Sequence, residues 1–177
     1  MKDRDEVVFA GVGGQGLILA GKIFGEAAIL EGKNATQTMA YGVASRGGFS
    51  KSDVVISKND IAYPEVLDPD VVVALSQQAY DRYKDIIKED CLLIYDGSSI
   101  KGGESTGQAE AYPIAEKAVE LNNMKILNMI ALGILARRTN IVSLDSLKAS
   151  LDKNTPSKFK EVNFKAFEEG YNMEIGK

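Results

Sequence analysis

Gly11-Val12-Gly13-Gly14-Gln15-Gly16 has the spacing most suggestive of chemistry in this 177-residue chain. It matches G-x-G-x-x-G, placed between a strand-like apolar run and a helical one. The glycines permit a sharp turn and leave backbone N–H groups uncovered at a helix N-terminus. Such a terminus attracts anions, phosphates above all. A nicotinamide site would add an acidic residue at the end of the second strand, roughly 20 residues on. Glu31 has that spacing but precedes the strand, beside Gly32, and the strand end offers Gln37, Thr38 and Met39. No Lys-Ser or Lys-Thr pair follows the glycines at the Walker offset. The motif therefore points to an anion or cofactor contact shared with a partner surface. Autonomous NAD or FAD binding, and plain tight packing of strand on helix, are the competing readings.

A second loop, Tyr41-Gly42-Val43-Ala44-Ser45-Arg46-Gly47-Gly48-Phe49-Ser50, sets a permanent charge on a permissive backbone. The planar fork of Arg46 suits carboxylates, phosphates and interface ion pairs. Tyr41 adds a flat surface with a polar tip, which suits interfaces. A surface arginine with a turn behind it explains the loop equally well.

What the chain lacks narrows the chemistry further. It has no histidine, no tryptophan and one cysteine, Cys91. Imidazole bases and Ser-His-Asp units are excluded, as are cysteine-rich zinc sites and iron–sulfur clusters built within the chain. An internal disulfide is impossible, which fits a reducing cytoplasm. With 21 basic and 25 acidic residues the net charge is −4. The basic footprint of a nucleic-acid binder is missing. The apolar stretch at 17–30 is interrupted by Lys22 and Glu26, and a membrane helix needs about 20 apolar residues.

The elements that must hold these loops follow from periodicity and punctuation. Residues 7–10 read as a buried strand, and 17–30 as a helix apolar on most sides, ended by Gly32. Gly21, Gly25 and Ala28 would let a neighbouring layer come close. Strands follow at 35–39, 53–57, 71–75, 91–95 and 109–112. Val71-Val72-Val73 lacks alternation, as a central parallel strand would. Helices are expected at 77–88, after Pro113, at 128–138, at 143–151 and at 158–169, the last capped by Ser157 and stopped by Gly170. The glycine-rich stretch 101–108 reads as a mobile loop or hairpin. The expectation is α/β: one Rossmann-like domain over 1–177, with a mostly parallel sheet, helices on both faces and a helical C-terminal third.

Cys91 opens an apolar strand and reads as a buried, inert thiol. Asp96 ends a strand, where it could bind a ligand or make the turn with Gly97. Ser76 reads as a helix cap. Asn128, in an apolar helix, needs a polar partner if buried. Phe159, Phe164, Phe167 and Tyr171 read as core or subunit contacts.

Taken in order, several blocks resemble one family, the gamma subunit of 2-oxoacid:ferredoxin oxidoreductases. They are Gly13-Gly14-Gln15-Gly16, Tyr41-Gly42 with Ser45-Arg46-Gly47-Gly48, Val54-Val55-Ile56-Ser57, Tyr63-Pro64, Pro69-Asp70-Val71, and Asn128-Met129-Ile130-Ala131-Leu132-Gly133. The likeness runs from the first strand to the last helix and is greatest for the 2-oxoglutarate branch. It implies conversion of a 2-oxoacid and coenzyme A to acyl-CoA, carbon dioxide and reduced ferredoxin. It also implies that thiamine diphosphate and iron–sulfur clusters sit in partner alpha and beta subunits, with a delta subunit as an option. Nucleic acid and membrane are not expected partners, and the isolated chain is expected to be able to form a homodimer. The resemblance turns Gly11, Gly13, Gly14, Gln15, Gly16, Tyr41, Ser45, Arg46, Gly47 and Gly48 towards the cleft that coenzyme A enters. No residue is assigned as a catalytic acid, base or nucleophile.

Overall fold

A computed structural model describes residues 2–42 and 47–176. Six strands form one sheet: β1 (Arg4–Val12), β2 (Asn34–Tyr41), β3 (Phe49–Ser57), β4 (Val71–Ala74), β5 (Leu92–Asp96) and β6 (Gln108–Tyr112). Their order is β2-β3-β1-β4-β5-β6. β1, β4, β5 and β6 pair in parallel, while β3 runs antiparallel to both β1 and β2. The sheet is thus mostly parallel, as expected, with one reversed strand. The reversal follows from chain length. A parallel return needs a crossover of about a dozen residues, and only 42–48 separate β2 from β3. The second glycine loop is therefore the connection of a hairpin.

Helices cover the sheet unequally. α1 (Leu17–Leu30), α3 (Ile114–Glu120), α4 (Leu127–Arg138), α5 (Leu144–Asn154) and α6 (Lys160–Tyr171) share one core with Val7, Phe9, Val54, Val73 and Ile94. α2 (Gln77–Tyr83) packs on the other face with Val8, Ala10, Val72, Ala74 and Leu93. Beyond α2 that face is crossed by the segment at 63–68. Glu6, 6% exposed, accepts hydrogen bonds from the Leu67 and Asp68 N–H groups at 2.8 Å each. Arg4 donates to the Tyr63 and Glu65 carbonyls, and Thr36 to that of Pro64. The Tyr63-Pro64 block thus has a structural use, closing the sheet where no helix lies.

Gly21 does what its spacing suggested. A β-carbon there would stand 2.8 Å from the Gln37 side-chain nitrogen and 3.2 Å from Val54, so α1 lies directly on β2 and β3.

Three expectations are corrected. α2 ends at Tyr83 rather than at 88, and Ile86 is exposed. Thr106 and Ser105 donate to the Lys84 carbonyl, and Thr106 also to that of Ile87, supplying acceptors' partners that another helical turn would have supplied. For the same reason 101–108 is not a loose loop. Gln77 bonds Lys101 through both its amide atoms, and the Tyr80 hydroxyl both donates to and accepts from Gly103. In the last helix, Ser157 opens a 3₁₀ turn, and α6 runs through Gly170 to Tyr171. Gly170 is a packing residue, because a β-carbon there would lie 2.7 Å from the Ile130 carbonyl carbon of α4.

Candidate functional site

The two glycine loops meet at the carboxyl edge of β1. The Gly13 N–H donates to the Gly48 carbonyl at 3.1 Å, and the Gly42 N–H to that of Phe49 at 2.6 Å. α1 leaves β1 on one face and α2 leaves β4 on the other. The crevice between β1 and β4 is therefore a switch point, where open α/β sheets bind ligands.

Gln15 bridges the ends of β1 and β4 at that edge. Its Oε1 accepts the Val12 N–H at 2.9 Å, and its Nε2 donates to the Leu75 carbonyl at 2.8 Å. The side chain ties the first loop to the end of β4, so both its polar atoms already have partners. Ser76, next along, caps α2 through the Ala79 N–H. Asp96, 2% exposed, accepts from the Ala115 N–H and from Ser98 and Ser99, which makes it a cap for α3.

Gly13 and Gly14 differ from these neighbours. A β-carbon on either would have open space around it, and Gly14 has φ +95°. Gly16 follows as the N-cap of α1, with φ +74° and no side-chain cap. The first-turn N–H groups of a helix have no intrahelical acceptor. Here the cap residue supplies none either, so the helix end faces the loop with its donors and its partial positive charge. Gly47, with φ +68°, and Gly48 border the same edge. Tyr41 lies on the α1 side of β2, 67% exposed. It is four residues beyond Gln37, whose amide donates to the Ile18 carbonyl in the first turn of α1. Ser45 and Arg46 lie outside the described residues. Thus Gly13, Gly14, Gly16, Gly47 and Gly48 come together, and Gly11 backs onto the Gln15 side chain.

The acidic residue of the dinucleotide reading is elsewhere. β3 separates β2 from β1. Glu31 bonds Lys33 at 2.8 Å and the Ser143 N–H at 2.6 Å, tying the end of α1 to the start of α5. Partial desolvation opposes its ionisation, but the Lys33 and Ser143 hydrogen bonds outweigh it and hold the carboxyl at about 2. Because this lies below the ordinary value of 4.5, the stabilisation is complete above pH ~4.5 and is lost as pH falls towards 2. Glu31→Gln should flatten the pH dependence of urea stability over that window and cost about 1 kcal/mol at neutral pH. An unchanged acid slope would refute the assignment.

Cys91 is buried, and burial, followed by the charges of Asp70 and Asp90, pushes its thiol up to about 12. It is no nucleophile at neutral pH. Among the described residues, no group of three or more His, Cys, Asp or Glu could hold a metal ion. No helix among them is long and apolar enough to cross a membrane.

Residues 6–173 match the family described as pyruvate ferredoxin/flavodoxin oxidoreductase. The 2-oxoglutarate synthase subunit KorC of Methanocaldococcus jannaschii is 44% identical, over 98% of this chain and 95% of its own length. The gamma subunit of a keto/oxoacid ferredoxin oxidoreductase from Geobacter sulfurreducens superposes with a TM-score of 0.86 at 36% identity, covering 96% of this chain and 95% of that one. The 2-oxoglutarate:ferredoxin oxidoreductase of Magnetococcus marinus, solved with 2-oxoglutarate, coenzyme A and succinyl-CoA bound, superposes with a TM-score of 0.87 at 28% identity. There 97% of this chain matches 31% of a longer one.

Proposed function

The chain belongs to the pyruvate ferredoxin/flavodoxin oxidoreductase family, and from that membership we propose that its paired glycine loops receive the phosphate groups of coenzyme A. The chain is the gamma subunit of an oxidoreductase of the 2-oxoglutarate type. The assembly would convert 2-oxoglutarate and coenzyme A to succinyl-CoA and carbon dioxide, with the electrons passing to ferredoxin.

One observation carries the proposal. At the carboxyl edge of β1, Gly13 and Gly14 expose bare backbone beside a helix end with no side-chain cap, while Gln15, Ser76 and, at the end of β5, Asp96 are already partnered. Such a place suits an anion that brings its own acceptor oxygens. The missing side chains let a phosphate approach the main chain closely. The chain's residues would bind and orient the cosubstrate, and the reacting thiol end would lie towards a partner subunit.

The redox groups do not fit this chain. One buried cysteine and no histidine cannot ligate an iron–sulfur cluster. No described cluster of acidic residues suits the metal-bound diphosphate of thiamine either. Those groups would be held by partner alpha and beta subunits. The same inventory of a single thiol suits a reducing cytoplasm.

Coenzyme A and pantetheine should be titrated calorimetrically into the assembled complex carrying wild-type chain or Gly13→Asp. A fixed negative charge at the cradle should weaken coenzyme A at least about tenfold while leaving pantetheine, which lacks the phosphates, within about twofold. Equal coenzyme A affinity in the two complexes would overturn the proposal. NADH and flavins should not bind the wild-type chain, since Gln15 already ties the end of β1 to that of β4 and the ribose-binding acid is absent, Glu31 being bonded to Lys33 and Ser143.

A further inference from the structure

Asn128 stands out in α4. Residues 127–135 are all buried, and every other side chain among them is apolar or absent. A buried amide is costly unless its hydrogen bonds are made. Here its Oδ1 accepts the Met129 N–H at 3.0 Å, and its Nδ2 donates to the Gly16 carbonyl at 3.1 Å. The Gly16 carbonyl also accepts the Ala20 N–H at 3.1 Å, the first bond of α1.

Two donors therefore fix the direction of that carbonyl. The peptide is planar and trans, so the Leu17 N–H on its other side must point the opposite way. Asn128 also sits against the missing side chain of Gly16. A β-carbon there would be 2.7 Å from Asn128 Cγ. The asparagine and the left-handed glycine thus occupy one another's space, and α4 is itself pinned through Gly133 and Gly170 to α6.

We propose that Asn128 is a positioning residue for the phosphate cradle: it sets the direction of the Leu17 N–H and holds Gly16 in its left-handed conformation. This rests on the reading of the glycine loops as the coenzyme A phosphate site. The amide touches no ligand itself and acts through the backbone of Gly16.

The assembled complex should be compared as wild type, Asn128→Ala, Asn128→Asp and Ile134→Val, with direct titration of coenzyme A and of pantetheine. Asn128→Ala loses the donor and should weaken coenzyme A about tenfold. Asn128→Asp loses the donor and adds a negative charge behind the helix end, so it should weaken coenzyme A further. Pantetheine affinity and the KM for 2-oxoglutarate should stay within about twofold in both. Ile134→Val loosens the same helix without touching Gly16, so it should lower the melting temperature and leave coenzyme A affinity unchanged. Asn128→Ser, too short to reach Gly16, replaces the alanine variant if that one fails to assemble. Folded, assembled variants that bind coenzyme A like wild type would overturn the proposal. If Gly13→Asp weakens coenzyme A and the Asn128 variants do not, the cradle stands and only the role of Asn128 fails. If Gly13→Asp has no effect, the cradle itself fails.

Discussion

Alanine at Gly133 should destabilise the chain by about 3 kcal/mol before any gain in helix propensity is counted. A β-carbon there would fall 2.6 Å from the Tyr171 nitrogen and closer still to the Phe167 carbonyl oxygen of α6. These are backbone atoms of a second helix and cannot swing aside as a side-chain tip does. Gly170→Ala meets the same barrier from the other side, against the carbonyl and Cα of Ile130. Replacing glycine by alanine inside a helix favours the helix by about 1 kcal/mol, so the net cost should be about 2 kcal/mol. For a chain of this size that corresponds to a fall of roughly 4–8 °C in melting temperature. The double variant should cost less than the sum of the two, because one separation of α4 from α6 relieves both clashes. Urea titration of the three variants checks this. Neutral or stabilising alanines would mean that the helices move apart freely, and α4 would then be too loose to position Asn128.

Gly170 also marks where reading the sequence stops being enough. After an amphipathic run, a glycine looks like a helix end, and nothing local distinguishes a C-cap from a contact with a distant helix. The positions that local chemistry governs were legible. α1 spans 17–30 as its periodicity predicts, Ser76 and Ser143 cap α2 and α5, and the Gly11–Gly16 turn opens a helix after a strand. The reversed β3 was legible in principle, because 42–48 is too short for a parallel crossover, yet an apolar strand carries no mark of its direction. The length of α2 depended on Ser105 and Thr106, which lie far along the chain. In the candidate site, sequence marked out both glycine loops. It could not show that the Gln15 amide turns inward to Leu75, or that Asn128 reaches Gly16 across 112 positions. An isolated polar residue in an otherwise apolar helix was the available signal, and it named the residue without naming its partner.

Asp96→Ala should be the other severe substitution, at about 3 kcal/mol or more, with no specific effect on coenzyme A. Strand-end carboxylates in parallel sheets often face ligands, so the position invites a binding role. Its bonds argue otherwise. Oδ1 accepts the Ala115 N–H at 3.1 Å, the Ser98 N–H at 3.2 Å and the Ser98 hydroxyl at 2.6 Å, while Oδ2 accepts the Ser99 hydroxyl. The Ser98 oxygen in turn accepts the Glu116 N–H at 3.1 Å. α3 begins after Pro113, which has no side-chain cap to offer, so Asp96 and Ser98 cap it from the end of β5. Alanine would strand the Ala115 and Ser98 N–H groups and remove a negative charge from a helix N-terminus. Asp96→Asn keeps an acceptor of the same shape but loses the charge, and should cost about 1–2 kcal/mol. Ser98→Ala should cost about 1 kcal/mol by uncapping the Glu116 N–H. Denaturation midpoints rank the three, and titration of the assembled complexes separates cap from ligand. If Asp96 caps α3, coenzyme A affinity of assembled Asp96→Asn matches wild type although its stability is lower. A variant as stable as wild type that binds coenzyme A several-fold differently would instead make Asp96 part of the crevice, and the boundary of the cradle would have to be redrawn to include β5.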